Sequence, residues 1–309
     1  MATKIVTVDG RRLEISHAGK LLFPDVRMTK ADLVEYYVRI ADVMLPHVRG
    51  RPISMERYPD GITGGHFFQK EAPDYFPDWV PRVPVYVKEE GAKQPQVTCD
   101  SAAALAYIAE QACITPHTWL SRAPRLDNPD KLVFDLDPPD DDFDAVREGA
   151  RAVRDVLRDV ALEALLMTTG SRGLHVVVPL DGEDDFDAAR DFARRLAEET
   201  VRREPDRFTT ETRKEDRRGR LFLDYLRNAY GQTSVAPYAV RARPGAPVAA
   251  PLDWDELRDP SLDSRTYRVD NIFRRLGQRA DPWADFAARP QSLAPARRRL
   301  DELLSTEES

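Results

Sequence analysis

Cysteine is nearly missing from this chain of 309 residues: Cys99 and Cys113 are its only two, and neither belongs to a pair spaced like a zinc knuckle. That scarcity points away from a disulfide framework and from a structural zinc site, and both thiols are expected to be reduced and buried. Long apolar runs are missing too, and Met1 does not open a basic, apolar, small-residue leader. The expectation is a cytoplasmic protein without a membrane partner. The Gly-Lys-Ser/Thr ending of a Walker A loop is absent, and so is Lys-x-Asp-Gly, which carries the nucleotidyl-lysine of ligases. Net positive charge is also lacking, since 46 Lys and Arg face 53 Asp and Glu for a balance of −7. Such a balance argues mildly against coating nucleic acid by bulk electrostatics. Its distribution matters more: acid gathers at Asp135 to Asp144 and Glu183 to Asp187, base at Arg202 to Arg220 and Arg241 to Arg243.

What is present is patterned. Ile5 to Val8 and Arg12 to Ile15 read as a short strand pair, and a loop through Lys20 and Pro24 leads into a helix. Thr29 precedes Asp32 by three residues, a capping-box variant, and Leu33, Tyr36, Tyr37, Ile40, Val43 and Met44 follow at helical spacing. Strand-like pieces lie at Ile53 to Tyr58 and Val83 to Lys88, and a short helix runs from Ser101 to about Ala112. From Lys131, Leu132, Phe134 and Leu136 alternate with Val133, Asp135 and Asp137, the period of a half-buried strand that ends at Pro138-Pro139. An amphipathic helix follows on Phe143, Val146, Ala150, Val153, Leu157 and Val160. Then come strands at Ala164 to Thr168 and Leu174 to Leu180, a helix around Phe192, and strands at Arg207 to Thr212 and Leu221 to Tyr225. The order is close to β-α-β-β-α-β, the split βαβ plan of an α+β fold. Asp253 to Leu257 reads as helical.

Three constellations carry chemistry. Alternate residues on a strand share a face, so Asp135 and Asp137 aim two carboxylates the same way with α-carbons about 7 Å apart. That suits a pair of hard cations such as Mg²⁺ or Mn²⁺ in two-metal phosphoryl transfer, although a lone Asp-x-Asp can equally cap a strand. Thr169-Gly170-Ser171-Arg172-Gly173-Leu174-His175 is a tight turn into a strand, where Ser171, Arg172 and His175 could cradle phosphates or merely close a hairpin. In Leu221-Phe222-Leu223-Asp224-Tyr225 an acid interrupts an apolar strand. A buried carboxylate needs a partner, and a metal shared with Asp135 and Asp137 would be one. Further on, Arg241 could pair with a triphosphate or stay solvated.

The blocks Leu132-Val133-Phe134-Asp135-Leu136-Asp137-Pro138, Gly170-Ser171-Arg172-Gly173-Leu174-His175 and Val235-Ala236-Pro237-Tyr238 resemble those of the polymerase domain of bacterial ligase D, an archaeo-eukaryotic primase-like enzyme of non-homologous end joining. Gly19-Lys20-Leu21-Leu22-Phe23-Pro24, Thr29-Lys30-Ala31-Asp32, Arg57-Tyr58-Pro59-Asp60-Gly61 and Phe67-Phe68-Gln69-Lys70 extend the likeness over nearly the whole chain. It implies a primase-polymerase fold with an RRM-like split β-α-β catalytic core and an N-terminal α/β module packed against it. On that plan residues 1–290 form one domain, with the module over 1–125, the core and C-terminal segment over 126–290, and a charged terminal helix or tail over 291–309. It also implies a template-dependent nucleotidyltransferase that fills gaps and extends ends at double-strand breaks, with ribonucleotides favoured.

By the same resemblance Asp135, Asp137 and Asp224 are catalytic and hold two divalent cations, Mn²⁺ or Mg²⁺, while Ser171, Arg172, His175 and Arg241 meet the triphosphate. Phe67 and Phe68, with Arg57 and Lys70, contact template or primer, although one of the two phenylalanines is expected in the core. Lys20 and Lys30, with His17 as a third donor, would receive the 5′-phosphate of a gapped duplex at a helix start. Implied partners are DNA ends, nucleoside triphosphates, a Ku-type protein and a separate ATP-dependent ligase, for a bacterial monomer found on the nucleoid when bound to DNA. Whether the chain stands alone or is an excised domain stays open. Three residues depart from the family pattern: Glu56 where a basic residue is frequent, His17 where Asn is, and Gln232 where Lys is. Two rival readings are a metal-dependent glycosyltransferase, which also uses Asp-x-Asp, and a non-catalytic protein that binds DNA ends.

Overall fold

The structure is a computed structural model and describes residues 3–88, 90–140 and 142–307. Asp141 of the acidic run, and Glu308 and Ser309 of the expected tail, lie outside the described residues. The chain begins with two small ladders, β1 (Lys4–Val8) with β2 (Arg11–Ile15) and β3 (Leu21–Phe23) with β4 (Met28–Thr29). Helix α1 (Lys30–Val48) starts where the capping box places it. Asp32 N–H donates to Thr29 Oγ1 at 3.2 Å and Thr29 N–H to Asp32 Oδ2 at 2.8 Å, which satisfies two groups that a helix start leaves open. Leu33, Tyr37, Ile40 and Met44 then bury one stripe of the helix, each such side chain contributing about 1.5–3 kcal/mol.

Next come β5 (Ile53–Arg57), β6 (Phe67–Gln69), the hairpin of β7 (Arg82–Val87) and β8 (Ala92–Val97), helix α2 (Ala102–Glu110), strand β9 (Cys113–Trp119), and the ladder of β10 (Ser121–Arg122) with β11 (Arg125–Pro129). Sequence patterning did not reveal β9. Its residues are buried on both faces except His117, so no alternation of apolar and polar side chains marks it.

The second half runs β12 (Lys131–Asp137), α3 (Phe143–Asp159), β13 (Leu165–Thr168), β14 (Leu174–Pro179), α4 (Phe186–Arg203), β15 (Phe208–Thr209), β16 (Leu221–Asp224), β17 (Thr233–Val235), β18 (Pro251–Leu252), α5 (Ile272–Gln278) and α6 (Leu293–Glu307). The expected strand over 207–212 is thus only a two-residue piece, and the helical stretch near Asp253 is a 3₁₀ turn, Trp254–Arg258. Six strands form one sheet in the order β15-β16-β12-β14-β13-β18, with β12 antiparallel to both neighbours. A second sheet has the order β17-β9-β5-β6.

The period-two pattern of β12 divides its side chains between two cores. Leu132, Phe134 and Leu136 pack with Leu174, Val176, Leu221 and Leu223 against the apolar stripes of α3 and α4. Val133 and Val177, on the other face, share a core with Ile53, Ile114 and Val235 of the second sheet. Asp135, Asp137, His175 and Asp224 continue that second face, so they point into the space between the two sheets.

β17 pairs with β9, Val235 opposite His117, so the sheet of the 1–125 module is completed by residues from far beyond it. Within the stretch read as a charged terminal helix or tail, α6 buries Leu293, Ala296 and Leu300 in the core beneath α4, and Asp301 pairs with Arg195. Among the described residues no helix is long and apolar enough to cross a membrane.

Candidate active site

The cleft between the sheets encloses about 340 Å³. Asp135, Asp137, His175 and Asp224 line it from the six-stranded sheet, and Phe68, His117 and Thr233 to Val235 line it from the other. Asp135 and Asp224 are direct partners across the β12–β16 ladder, and Asp135 also faces His175 across β12–β14. Three functional side chains therefore come from three adjacent strands, which fixes their spacing by backbone hydrogen bonds rather than by loops.

The turn between β13 and β14 closes one end of the cleft. Gly170 has φ +65°, a conformation that favours glycine, and a Cβ there would meet Val248 C at 3.0 Å. A Cβ on Gly173 would meet the Leu136 carbonyl oxygen at 2.0 Å, so this glycine lets the turn lie directly on the end of β12. Thr169 Oγ1 ties the loop by accepting from Ser171 N–H at 3.3 Å and Gly173 N–H at 3.2 Å. Arg241 anchors the opposite side, donating to Thr169 O at 2.9 Å.

Each acid in the cleft has a cationic neighbour. Asp137 accepts from Arg172 at 2.8 Å and lies 3.5 Å from Arg217. His175 Nε2 lies 3.4 Å from Asp135, and Arg227 Nε lies 3.6 Å from both Asp135 and Asp224. Burial alone would raise the Asp135 carboxyl, but His175, Arg227 and Arg241 outweigh it and hold it at about 2. Asp224 is displaced the other way, pushed up by burial and by the charge of Asp135. Among the described residues no group of three His, Cys, Asp or Glu side chains is arranged to enclose an ion. Arg172, Arg217 and Arg227 neutralise these acids instead.

The expected site residues fall into three groups. Asp135, Asp137, Asp224, Ser171, Arg172, His175 and Arg241 all line the one cleft. Two of the expected phosphate ligands, however, are engaged with acids: Arg172 with Asp137 and His175 with Asp135. Phe68 lines the cleft and Phe67 lies beside it on β6, an edge strand, and both are exposed, at 55% and 45%. The expectation that one of the pair would be core is incorrect, since an edge strand leaves its outer side chains without a covering layer. Arg57 stacks over Phe67 at 5.5 Å and donates to Gln69 Oε1 at 2.6 Å, whereas Lys70 lines a different cavity.

The lysines form the third group. Lys30 N–H donates to Lys20 O at 2.8 Å, so the two residues adjoin, with His17 exposed in the turn before Lys20. Lys20 is paired with Asp60 at 2.6 Å at the surface. Lys30 is buried and holds Glu110 at 2.8 Å and Ser16 Oγ at 3.0 Å. The free helix-start amides expected here are already used, because Lys30, Ala31 and Asp32 N–H donate to Lys20 O, Ala18 O and Thr29 Oγ1. Lys20 is the more accessible cation.

Sequence reasoning passed over His117, Arg217 and Arg227. His117 sits on the unrecognised β9, where it approaches Glu56 Oε2 at 3.1 Å while Tyr58 O–H donates to Glu56 Oε1 at 2.6 Å. Against burial, these two contacts hold the Glu56 carboxyl at about 2. Arg227 carried a signal, being three residues after Asp224 at the end of a strand.

The chain as a whole is similar to known proteins. The model of the LigD primase-polymerase domain matches residues 29–283. The multifunctional non-homologous end joining protein LigD of Pseudomonas aeruginosa is 35% identical over 294 residues, which is 93% of this chain and 34% of that protein. The bifunctional LigD of Bacillus subtilis is 30% identical over 282 residues, 91% of this chain and 45% of that protein. This chain thus spans about a third to under a half of the curated relatives it matches. The polymerase domain from Mycobacterium tuberculosis ligase D in complex with DNA superposes with a TM-score of 0.84 at 34% identity, covering 91% of this chain and 99% of that one. With the family model over most of its length and relatives above 30% identity, the chain belongs to the LigD primase-polymerase domain family.

Proposed function

We propose that this chain joins nucleoside triphosphates to a nucleic-acid 3′ end under the direction of a template. The observation that carries the reading is Asp135 facing Asp224 across one ladder with Asp137 continuing the same face, all three in the cleft beside the Ser171–His175 turn. An all-oxygen donor set suits Mg²⁺ or Mn²⁺, and the charge that Asp135 forces on Asp224 is one a cation would relieve. Asp135, Asp137 and Asp224 would hold the pair of ions, which when bound activate the attacking 3′ oxygen and neutralise the triphosphate. The family is metal-dependent; the choice of these two metals is part of the proposal.

The chain's own residues supply the rest. Arg172, Arg217 and Arg227 neutralise the acids, and their guanidinium groups would supply donors for a triphosphate in the same cleft. Ser171 and Arg241 flank the same end of the cleft, and His175 fixes the Asp135 carboxylate on the neighbouring strand. Phe67 and Phe68 present exposed rings for template or primer bases. Lys20, with His17 nearby, is the cation available for a 5′-phosphate, so gapped duplexes and broken ends are the proposed substrates. Ribonucleotide preference, a Ku-type protein and an ATP-dependent ligase complete the proposal.

A glycosyltransferase reading leaves Asp224 and the Ser171–His175 turn without roles, and an inert end-binding protein has no need of three acids in one cleft. Extension of a labelled primer across a gapped duplex, with each metal and each sugar type, tests the reading. Templated addition supports it, and no addition under any combination refutes it.

A further inference from the structure

A second cavity of about 330 Å³ opens between the β7–β8 hairpin and the chain entering β17. Two strands join it to the active-site cleft. Phe68 on β6 lines the cleft, and Lys70, one residue past the end of that strand, lines the second cavity. Along the approach to β17, Gly231 and Gln232 line the second cavity and Thr233 to Val235 line the cleft. A strand of nucleic acid that passes Phe68 therefore reaches this cavity within a few ångströms of chain.

Its lining has the chemistry of a base site. Tyr86 is 47% exposed, and Tyr230 is held edge-on to Trp119 at 4.9 Å while its hydroxyl donates to Tyr86 O at 3.1 Å. Lys88 Nζ rests 5.5 Å from the centre of the Tyr230 ring, and Lys70 is exposed at the rim. Gln96 is 2% exposed and lines the cavity, yet its Oε1 has no hydrogen-bond partner. A buried amide oxygen without a partner is costly, so a donor arriving in the cavity would be bound in part by satisfying it.

We propose that this cavity takes an unpaired nucleobase from the single-stranded stretch of the strand that passes Phe68. Tyr86 supplies a ring for stacking, Lys70 and Lys88 meet the adjoining phosphates, and the Gln96 amide meets the hydrogen-bonding edge of the base. Aromatic faces and ammonium groups suit any base, while the amide adds a preference for bases that present a donor. The inference rests on the polymerase reading for the path of the strand, but it concerns binding and not the chemical step.

The test compares affinities for a primer–template whose template extends four nucleotides beyond the copied base with the same extension made abasic. Wild type is expected to favour the base-bearing extension by about ten-fold, as one stacked base confers. Tyr86→Ala should lose that preference, and Gln96→Leu should reduce it most for bases that present a donor. Nucleotide addition on a template ending at the copied base should be unchanged in Tyr86→Ala, whose exposed ring supports no core. Equal binding of abasic and base-bearing extensions by wild type, or an undiminished preference in Tyr86→Ala, overturns the cavity assignment. Absence of templated addition by wild type on every substrate instead overturns the polymerase reading.

Discussion

Asp135 and Asp224 sit directly opposite each other on adjacent strands, and the single guanidinium of Arg227 reaches both at 3.6 Å. Two carboxylates in such proximity disfavour their joint ionisation, which shows in Asp224, raised by burial and by the charge of Asp135, while His175, Arg227 and Arg241 hold Asp135 low. The site is built at a cost to the fold.

Asp224→Asn should therefore separate activity from stability. Burial and Asp135 both raise the Asp224 carboxyl, so at neutral pH its charged form opposes folding and its removal helps. Thermal unfolding is expected to shift upward by roughly 2 °C while nucleotide addition falls by at least about a hundred-fold. A lowered melting temperature would mean that Arg227 already compensates the pair.

Lys20 and Lys30 should part company on mutation. Lys20→Ala is expected to weaken the preference for a 5′-phosphorylated gap by roughly ten-fold and to leave stability unchanged, because its Asp60 contact is at the surface. Lys30→Met strands Glu110 in a buried position and should cost about 3 kcal/mol in urea unfolding. A phosphate preference that survives Lys20→Ala would remove this lysine from the site.

Acid should destabilise the protein in two stages. Burial lowers His47 despite its contact with Asp281, and burial likewise lowers His117, so both are neutral in the fold and favour protons when unfolded. Stability present above about pH 6.5 is therefore lost as pH falls, and His47→Gln should flatten this limb of the urea midpoint. Below about pH 4 the loss resumes, because Glu56 and Asp281 are held low by their partners against burial and must be protonated. A flat midpoint from pH 8 to 5 would contradict the burial of the two imidazoles.

Gly173→Ala tests the seat of the turn. With Leu136 O at 2.0 Å from the new Cβ, either β12 or the turn must move, at an expected loss of about 3 kcal/mol. Nucleotide affinity should fall with it, because Arg172 leaves its place on Asp137 and Ser171 moves with the turn. Unchanged unfolding and binding would show that the turn is not packed against β12.

β12 and β16 were legible because each has one apolar and one mixed face. Leu132, Phe134 and Leu136 alternate with Val133, Asp135 and Asp137, and the structure divides them between two cores accordingly. β9 was not legible, since burial on both faces erases alternation, and with it went His117. The pairing of β17 with β9 joins residues more than a hundred positions apart and leaves no local trace. The three acids and the Ser171–His175 turn could be named from spacing and resemblance, but their present partners could not. That Arg172 rests on Asp137 and Lys30 on Glu110 depends on which side chains the fold brings together.

Single-nucleotide addition opposite each of the four template bases, by wild type and by Asp135→Asn with saturating Mn²⁺, tests the central claim most directly. Wild type is expected to add the complementary nucleotide in each case, and Asp135→Asn is expected to add none while still binding the duplex. Addition that ignores the template, or an undiminished rate in Asp135→Asn, would contradict it.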